Sequence, residues 1–146
     1  MAQARRILVG LKDVEHAAEL TRVACQVAGR GASLLLVNVI ELPDMTPLDA
    51  EVPDLEAEAV RIFKAAEREA RRRGLNTARL VIRAHSASYA LLDELAQRKM
   101  DLAVLGYHHK RTAGERFFGT TAQHLAAHAA CPILLVIPPR TRPKRR

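Results

Sequence analysis

Aromatic residues make up only 3% of this 146-residue chain, cysteine occurs twice, and no acidic residue follows position 139. Each shortage excludes a class of protein. Two cysteines, Cys25 and Cys131, cannot form the framework of a small secreted disulfide protein. The longest apolar runs reach five or six residues, against the ~20 that a helix needs to cross a bilayer, which excludes an integral helical membrane protein. The opening Met1-Ala2-Gln3-Ala4-Arg5-Arg6 passes straight into a short apolar run with no secretory h-region. These features predict a cytoplasmic, reduced chain with no membrane partner. Aromatics interleaved with basic residues, the mark of single-stranded RNA binding, are missing too, which argues against a nucleic-acid partner.

What the chain has is apolar mass, 49% of its residues, enough for one compact domain without disulfides. The net charge of +7 is unevenly spread. Arg140, Arg142, Lys144, Arg145 and Arg146 supply five of these charges, so residues 1–139 carry only +2. We expect a folded domain over 1–139 and a basic tail over 140–146. The tail reads either as a solvated end or as an arm for an anionic surface.

Apolar runs predict five strands, at Ile7 to Leu11, Leu34 to Ile40, Leu80 to Ile82, Leu102 to Leu105 and Ile133 to Ile137. Four are nearly continuous Leu/Val/Ile, as strands buried on both faces of a parallel sheet must be. The third is flanked by Arg79 and Arg83 and reads as an edge strand. Between strands, apolar residues recur at helical spacing. Val14, Ala17, Ala18, Thr21, Ala24, Cys25 and Ala28 make a first stripe, stopping at Gly29 as a left-handed cap. Leu55, Ala59, Ile62, Phe63, Ala66 and Ala70 make a second, starting near Asp54 and ending at Gly74. Tyr89, Leu92, Leu95 and Ala96 make a third, and Ala122, Leu125, Ala126 and Ala129 a fourth.

Strict alternation of strand and helix predicts a single-domain α/β fold, an open parallel five-stranded sheet with helices on both faces. Such sheets bind ligands beyond the carboxyl ends of their strands. The loops to search are therefore Lys12-Asp13, Val39 to Pro53 and Gly106 to Gly119. The last is the most informative. It leaves a strand on Gly106 and enters a helix on Gly119-Thr120-Thr121, a pattern that offers close backbone approach, free N–H groups and hydroxyls to an anion. Strand-exit glycines and Thr caps also serve plain structural ends.

The segment Asp101-Leu102-Ala103-Val104-Leu105-Gly106, two residues and His109, nine residues, Gly119-Thr120-Thr121, and then His128-Ala129-Ala130-Cys131-Pro132-Ile133-Leu134-Leu135-Val136 resembles the C-terminal half of the universal stress protein family. That family's nucleotide motif is Gly, two residues, Gly, nine residues, Gly-Ser/Thr. Arg6-Ile7-Leu8-Val9-Gly10-Leu11 and Leu34-Leu35-Leu36-Val37-Asn38-Val39 resemble its first two strands, so the likeness runs over residues 5–138. It implies strand order 3-2-1-4-5, a fold like the adenine-nucleotide alpha hydrolases, and a universal stress protein domain over 1–139. It also implies a homodimer through the last strand, whose apolar edge a second copy would cover.

Carried over by position, the resemblance puts Gly106, Gly119, Thr120 and Thr121 around the phosphates of ATP or another adenine nucleotide and Val39 against the adenine. No metal is expected beyond Mg²⁺ brought with the nucleotide. Three positions depart from the pattern: His109 replaces the middle glycine, Lys12 the aspartate that usually ends the first strand, and His85 the glycine after the third. A side chain at 109 penalises any positive φ by roughly 1–2 kcal/mol. Lys12, His108, His109, Lys110 and Arg111 could instead hold an anion through side chains. Three functions stay open: a non-enzymatic, nucleotide-responsive stress module, a dimeric interaction protein that binds no nucleotide, and a slow ATPase. No acidic pair converges to hold Mg²⁺ and position water for the last.

The remaining candidates have blander readings. His124 and His128, four apart, could chelate a metal, but they lie opposite the apolar stripe and read as a solvated helix face. Cys25 and Cys131 read as packed thiols whose burial raises their pKa. Ser86 and Ser88 read as helix caps. Phe117 and Phe118 read as anchors of their loop. Glu41, Asp44, Asp49 and Glu51 with three prolines read as a semi-rigid acidic lid facing Lys110 and Arg111, and Arg71-Arg72-Arg73 as the complement of a helix's negative end.

Overall fold

The structure is a computed structural model that describes residues 3–106 and 120–137, the side chain of Thr120 excepted. Among the described residues, nine elements alternate as expected: β1 (Ala4–Gly10), α1 (Val14–Val27), β2 (Ala28–Glu41), α2 (Pro53–Arg72), β3 (Asn76–Ala84), α3 (Ala87–Gln97), β4 (Leu102–Gly106), α4 (Thr120–His128) and β5 (Ile133–Val136). The strands form one parallel sheet in the order β3-β2-β1-β4-β5. No described helix is long and apolar enough to cross a membrane.

Successive strand residues point to opposite faces, which explains why the inner strands are apolar throughout. Ile7, Val9, Leu34, Leu36 and Val104 pack on one face under Leu20 of α1 and Phe63 of α2. Leu8, Leu35, Val37, Ala103 and Leu105 pack on the other under Leu91 and Leu95 of α3 and Leu125 of α4. At the sheet edge, Arg79 of β3 makes two 2.6 Å bonds to the Glu67 carboxylate and lies 5.6 Å over the Phe63 ring. Charged residues on an outer strand also discourage pairing with another chain.

Three local expectations change. Gly29 is no left-handed cap: α1 runs directly into β2, with Ala28 already extended. Gly29 serves close approach, because a Cβ there would lie 2.8 Å from Gln3 Cβ, and the positive φ of +75° falls at Gly31. These glycines sit where the pairing of β1 with β2 jumps from Ala4↔Ala28 to Arg6↔Ser33. Gly74, by contrast, does follow α2 with a left-handed φ of +74°.

The apolar stripes of α1 and α3 keep Ala17, Thr21, Ala24 and Leu95 buried as expected but shift at their margins. Leu20 and Leu91 take the inward positions, while Val14, Ala18, Tyr89 and Ala96 are exposed. A stripe of small residues fixes rotation poorly, and the leucine with the larger area to bury decides it. In the outer part of α2 and α4, Leu55 and Ala126 are likewise exposed.

At the amino end of the sheet, the Asp101 carboxylate accepts from the backbone N–H of Arg5 (3.0 Å) and Arg6 (2.9 Å). It ties the start of β1 to the turn before β4. Bonds to those amides, Arg6 first, hold the carboxyl below its usual range.

Candidate functional site

The winding reverses between β1 and β4, and a cleft opens there at the carboxyl ends of the strands. Its floor is Gly10 and Leu11 of β1 and its exit, Val37 and Val39 of β2, and Leu105 and Gly106 of β4. Ala87 and Leu91 of α3 form one wall, Thr121 and Ala122 of α4 the other, and Lys12 stands at the rim. Among these described residues only Lys12 and Thr121 carry polar side chains, the mostly apolar lining with a few polar groups that small-molecule sites share. The space is about 100 Å³, below the ~300–1,000 Å³ of whole-ligand pockets, so these walls fit one part of a ligand such as a flat ring.

Small residues create this opening. Gly10 ends β1 on the cleft side, and a Cβ there would come within 2.7 Å of Leu105 Cδ2. Any side chain at 10 must displace Leu105, itself part of the floor. Gly106 differs: its added Cβ would meet Leu20 Cδ1 at 3.2 Å, on the α1 side of the sheet. Room for Leu20 is therefore one reason for glycine at 106.

The rim is held in place by the strand behind it. The buried Asn38 side chain donates to the Leu11 carbonyl at 2.8 Å, and Leu11 N–H donates to the Val37 carbonyl at 2.8 Å. Together they fix the turn that presents Lys12. Asp13 then caps α1, its carboxylate accepting from His16 N–H at 2.8 Å and lying 2.8 Å from His16 Nδ1.

Two helices start at the cleft. The α3 start is filled from within: Ala87 N–H donates to Glu41 Oε2 at 2.8 Å, and Tyr89 N–H to Ser86 Oγ at 3.4 Å. The α4 start brings Thr121 and Ala122 to the cleft, where first-turn N–H groups have no partner within their own helix.

Of the sequence-derived site residues, Lys12, Val39, Gly106 and Thr121 line this one cleft. Thr120 opens α4 beside them. His109 and Gly119 lie outside the described residues, as do His108, Lys110, Arg111, Phe117, Phe118 and the basic tail. His85 stands off the floor, its Nδ1 3.2 Å from the Leu42 carbonyl.

The acidic segment after β2 is tied to the sheet edge. Arg83 donates to the Ala50 carbonyl at 2.7 Å and pairs with Glu56. Ser86 caps α3 as expected, whereas Ser88 bonds Ser86 Oγ (3.1 Å) and His124 Nδ1 (2.8 Å). His124 is accordingly half-buried against α3 rather than part of a solvated face. Burial pushes both thiols up, Cys131 with help from Asp101 and Cys25 against the pull of Arg73. Both environments favour the thiol over the reactive thiolate. No group of three or more His, Cys, Asp or Glu able to hold a metal occurs among the described residues.

Sequence reasoning missed Gly10, Asn38 and Glu41. A glycine and an asparagine interrupting otherwise continuous apolar strands were the available signal for the first two.

No curated sequence is similar enough to this chain to count as a relative. Solved structures share the fold. A universal stress protein in complex with cAMP is 19% identical over 93% of this chain and 98% of its own, with a TM-score of 0.69. The universal stress protein from Archaeoglobus fulgidus in complex with dAMP is 18% identical over 92% and 98%, with a TM-score of 0.69. A universal stress protein family protein from Arabidopsis thaliana with AMP bound is 16% identical over 91% of each chain, with a TM-score of 0.63. The sequence pattern of the universal stress protein family matches residues 3–136, and with nearly the whole chain covered, this protein belongs to that family.

Proposed function

We propose that this chain is a non-enzymatic stress-response module that binds an adenine nucleotide, ATP with Mg²⁺ among them, in the cleft between α3 and α4. The observation that carries the reading is convergence: Lys12, Val39, Gly106 and Thr121 come from four separate segments and line one cleft. The base would lie on Val39 and the apolar α3 wall. The phosphates would run toward Lys12 and the first turn of α4, where the helix's positive end favours anions. The α3 start is the poorer anion site, since the Glu41 carboxylate already occupies it. The related structures with cAMP, dAMP and AMP support the ligand class.

A homodimer through β5 goes with this reading. The strand is short, half-buried and at the sheet edge, and Ile137 beyond it is 51% exposed. Light scattering at micromolar concentration should give twice the chain mass; a monomer overturns this part.

A second reading, an interaction protein that binds no nucleotide, is favoured by Lys12 and His109, which stand where the family pattern has aspartate and glycine. Calorimetric titration with ATP and AMP, with and without Mg²⁺, separates the two. Micromolar binding by the parent, lost at least tenfold in Gly10→Val with the fold retained by circular dichroism, is the expected result. Binding by His109→Gly but not by the parent would mean that residue 109 has closed an inherited site, and the second reading would stand.

A further inference from the structure

Outside the cleft, polar side chains of α3 and α4 form one connected array. His124 and His128 lie one turn apart on the same side of α4, their ring centroids 4.7 Å apart. His128 Nδ1 is 3.0 Å from the His124 carbonyl oxygen. A carbonyl only accepts, so the proton is on Nδ1 and Nε2 keeps its lone pair.

His124 can reach the same state by a longer route. Its Nδ1 is 2.8 Å from Ser88 Oγ, which is 3.1 Å from Ser86 Oγ, which accepts from Tyr89 N–H. That chain can run entirely one way, with His124 donating to Ser88 and Ser88 donating to Ser86, because the last oxygen has room to accept twice. The exposed Tyr89 ring meets the His124 ring edge-on at 4.6 Å and restrains its rotation.

Metal-ligating histidines characteristically pass their second N–H to a carbonyl or similar acceptor, which fixes the tautomer and aims the other nitrogen. His128 has that support from a carbonyl, and His124 has it when Ser88 accepts from its Nδ1. We propose that His124 and His128 form a chelating site, through their two Nε2 atoms, for a divalent late transition-metal ion of the Zn²⁺, Ni²⁺ or Cu²⁺ class. Imidazole suits these ions and not Mg²⁺ or Ca²⁺. With no third His, Cys, Asp or Glu joining among the described residues, water completes the shell. The ion is exchangeable rather than a structural staple. The site stands one and two turns beyond Thr121 and does not depend on the nucleotide reading.

The test uses Cu²⁺, the strongest binder of the series, titrated into the full chain by calorimetry, with electron paramagnetic resonance of the equimolar complex. One equivalent bound with nitrogen coupling is expected. His124→Ala also removes the bridge to α3, so the exposed His128 carries the decision: His128→Ala, with an unchanged melting temperature in the absence of metal, should weaken binding at least tenfold. His85→Gln should change nothing. Ser88→Ala, which keeps both imidazoles, should cost about tenfold by releasing the His124 tautomer. No equimolar uptake, or equal affinity in His128→Ala and the parent, overturns the site; unchanged affinity in Ser88→Ala overturns the orienting chain.

Discussion

The two faces of the sheet share the same strands and are closed in different ways. Under α1 and α2, Phe63, Ile62, Leu20 and Ala66 pack on the strand residues, and all four are buried. Under α3 and α4, Leu95 and Leu125 seal the part of the face away from the strand ends, and Leu91 forms part of the cleft wall. Near those ends the residues shrink to Gly10, Ala87, Thr121 and Ala122, and a cleft remains. Side-chain size at a few positions thus divides the labour, one face holding the fold and the other leaving room.

The largest expected effect tests the sealed face. Phe63→Ala should cost about 3–5 kcal/mol in urea unfolding, as large-to-small changes at fully buried aromatic sites do, and should leave nucleotide affinity of the folded fraction unchanged. A parallel loss of affinity at saturating fold would erase the distinction between the faces. Asn38→Ala reaches from one region to the other. It strips the Leu11 carbonyl of its buried partner, for about 1–3 kcal/mol, and frees the Lys12 rim, so ATP affinity should fall more than adenosine affinity.

The smallest effect is at the amino end of the sheet. The Asp101 carboxyl titrates lower folded than unfolded, so its contribution is complete above the unfolded value of about 3.9 and disappears as pH falls through the folded one. Asp101→Asn should lower stability near pH 7 and flatten its dependence on pH below about 4, read from urea midpoints across pH. An unchanged acid slope would mean that Arg5 and Arg6 amides do not discriminate the carboxylate.

Legibility in the sequence followed how local each cause was. β1, β2 and β4 were plain because burial on both faces demands unbroken Leu/Val/Ile, and Arg79 and Arg83 marked β3 as an edge. The inward place of Leu20 in α1 was not, since alanines on either side of the helix compete until Leu20 meets a sheet. Gly29 resembled a helix cap because its reason, the approach of Gln3 and Ala4, lies 25 residues back. The loops holding Lys12, Val39, Gly106 and Thr121 followed from strand-end geometry and their individual roles from family likeness, while Glu41 at the start of α3 and the Ser88–His124 bridge needed three dimensions.

The central position of β1 also sets a timetable. Its neighbour on one side, β2, follows closely in the chain, but Ile7 pairs on the other side with Leu102, 95 residues later. At roughly 5–20 residues per second of synthesis, β1 waits about 5–20 seconds with one edge unfilled. Until Leu102 to Leu105 are made, the β4-side edge of β1 has no native partner in the chain, so the centre of this sheet cannot be completed before the last third of the protein is synthesised.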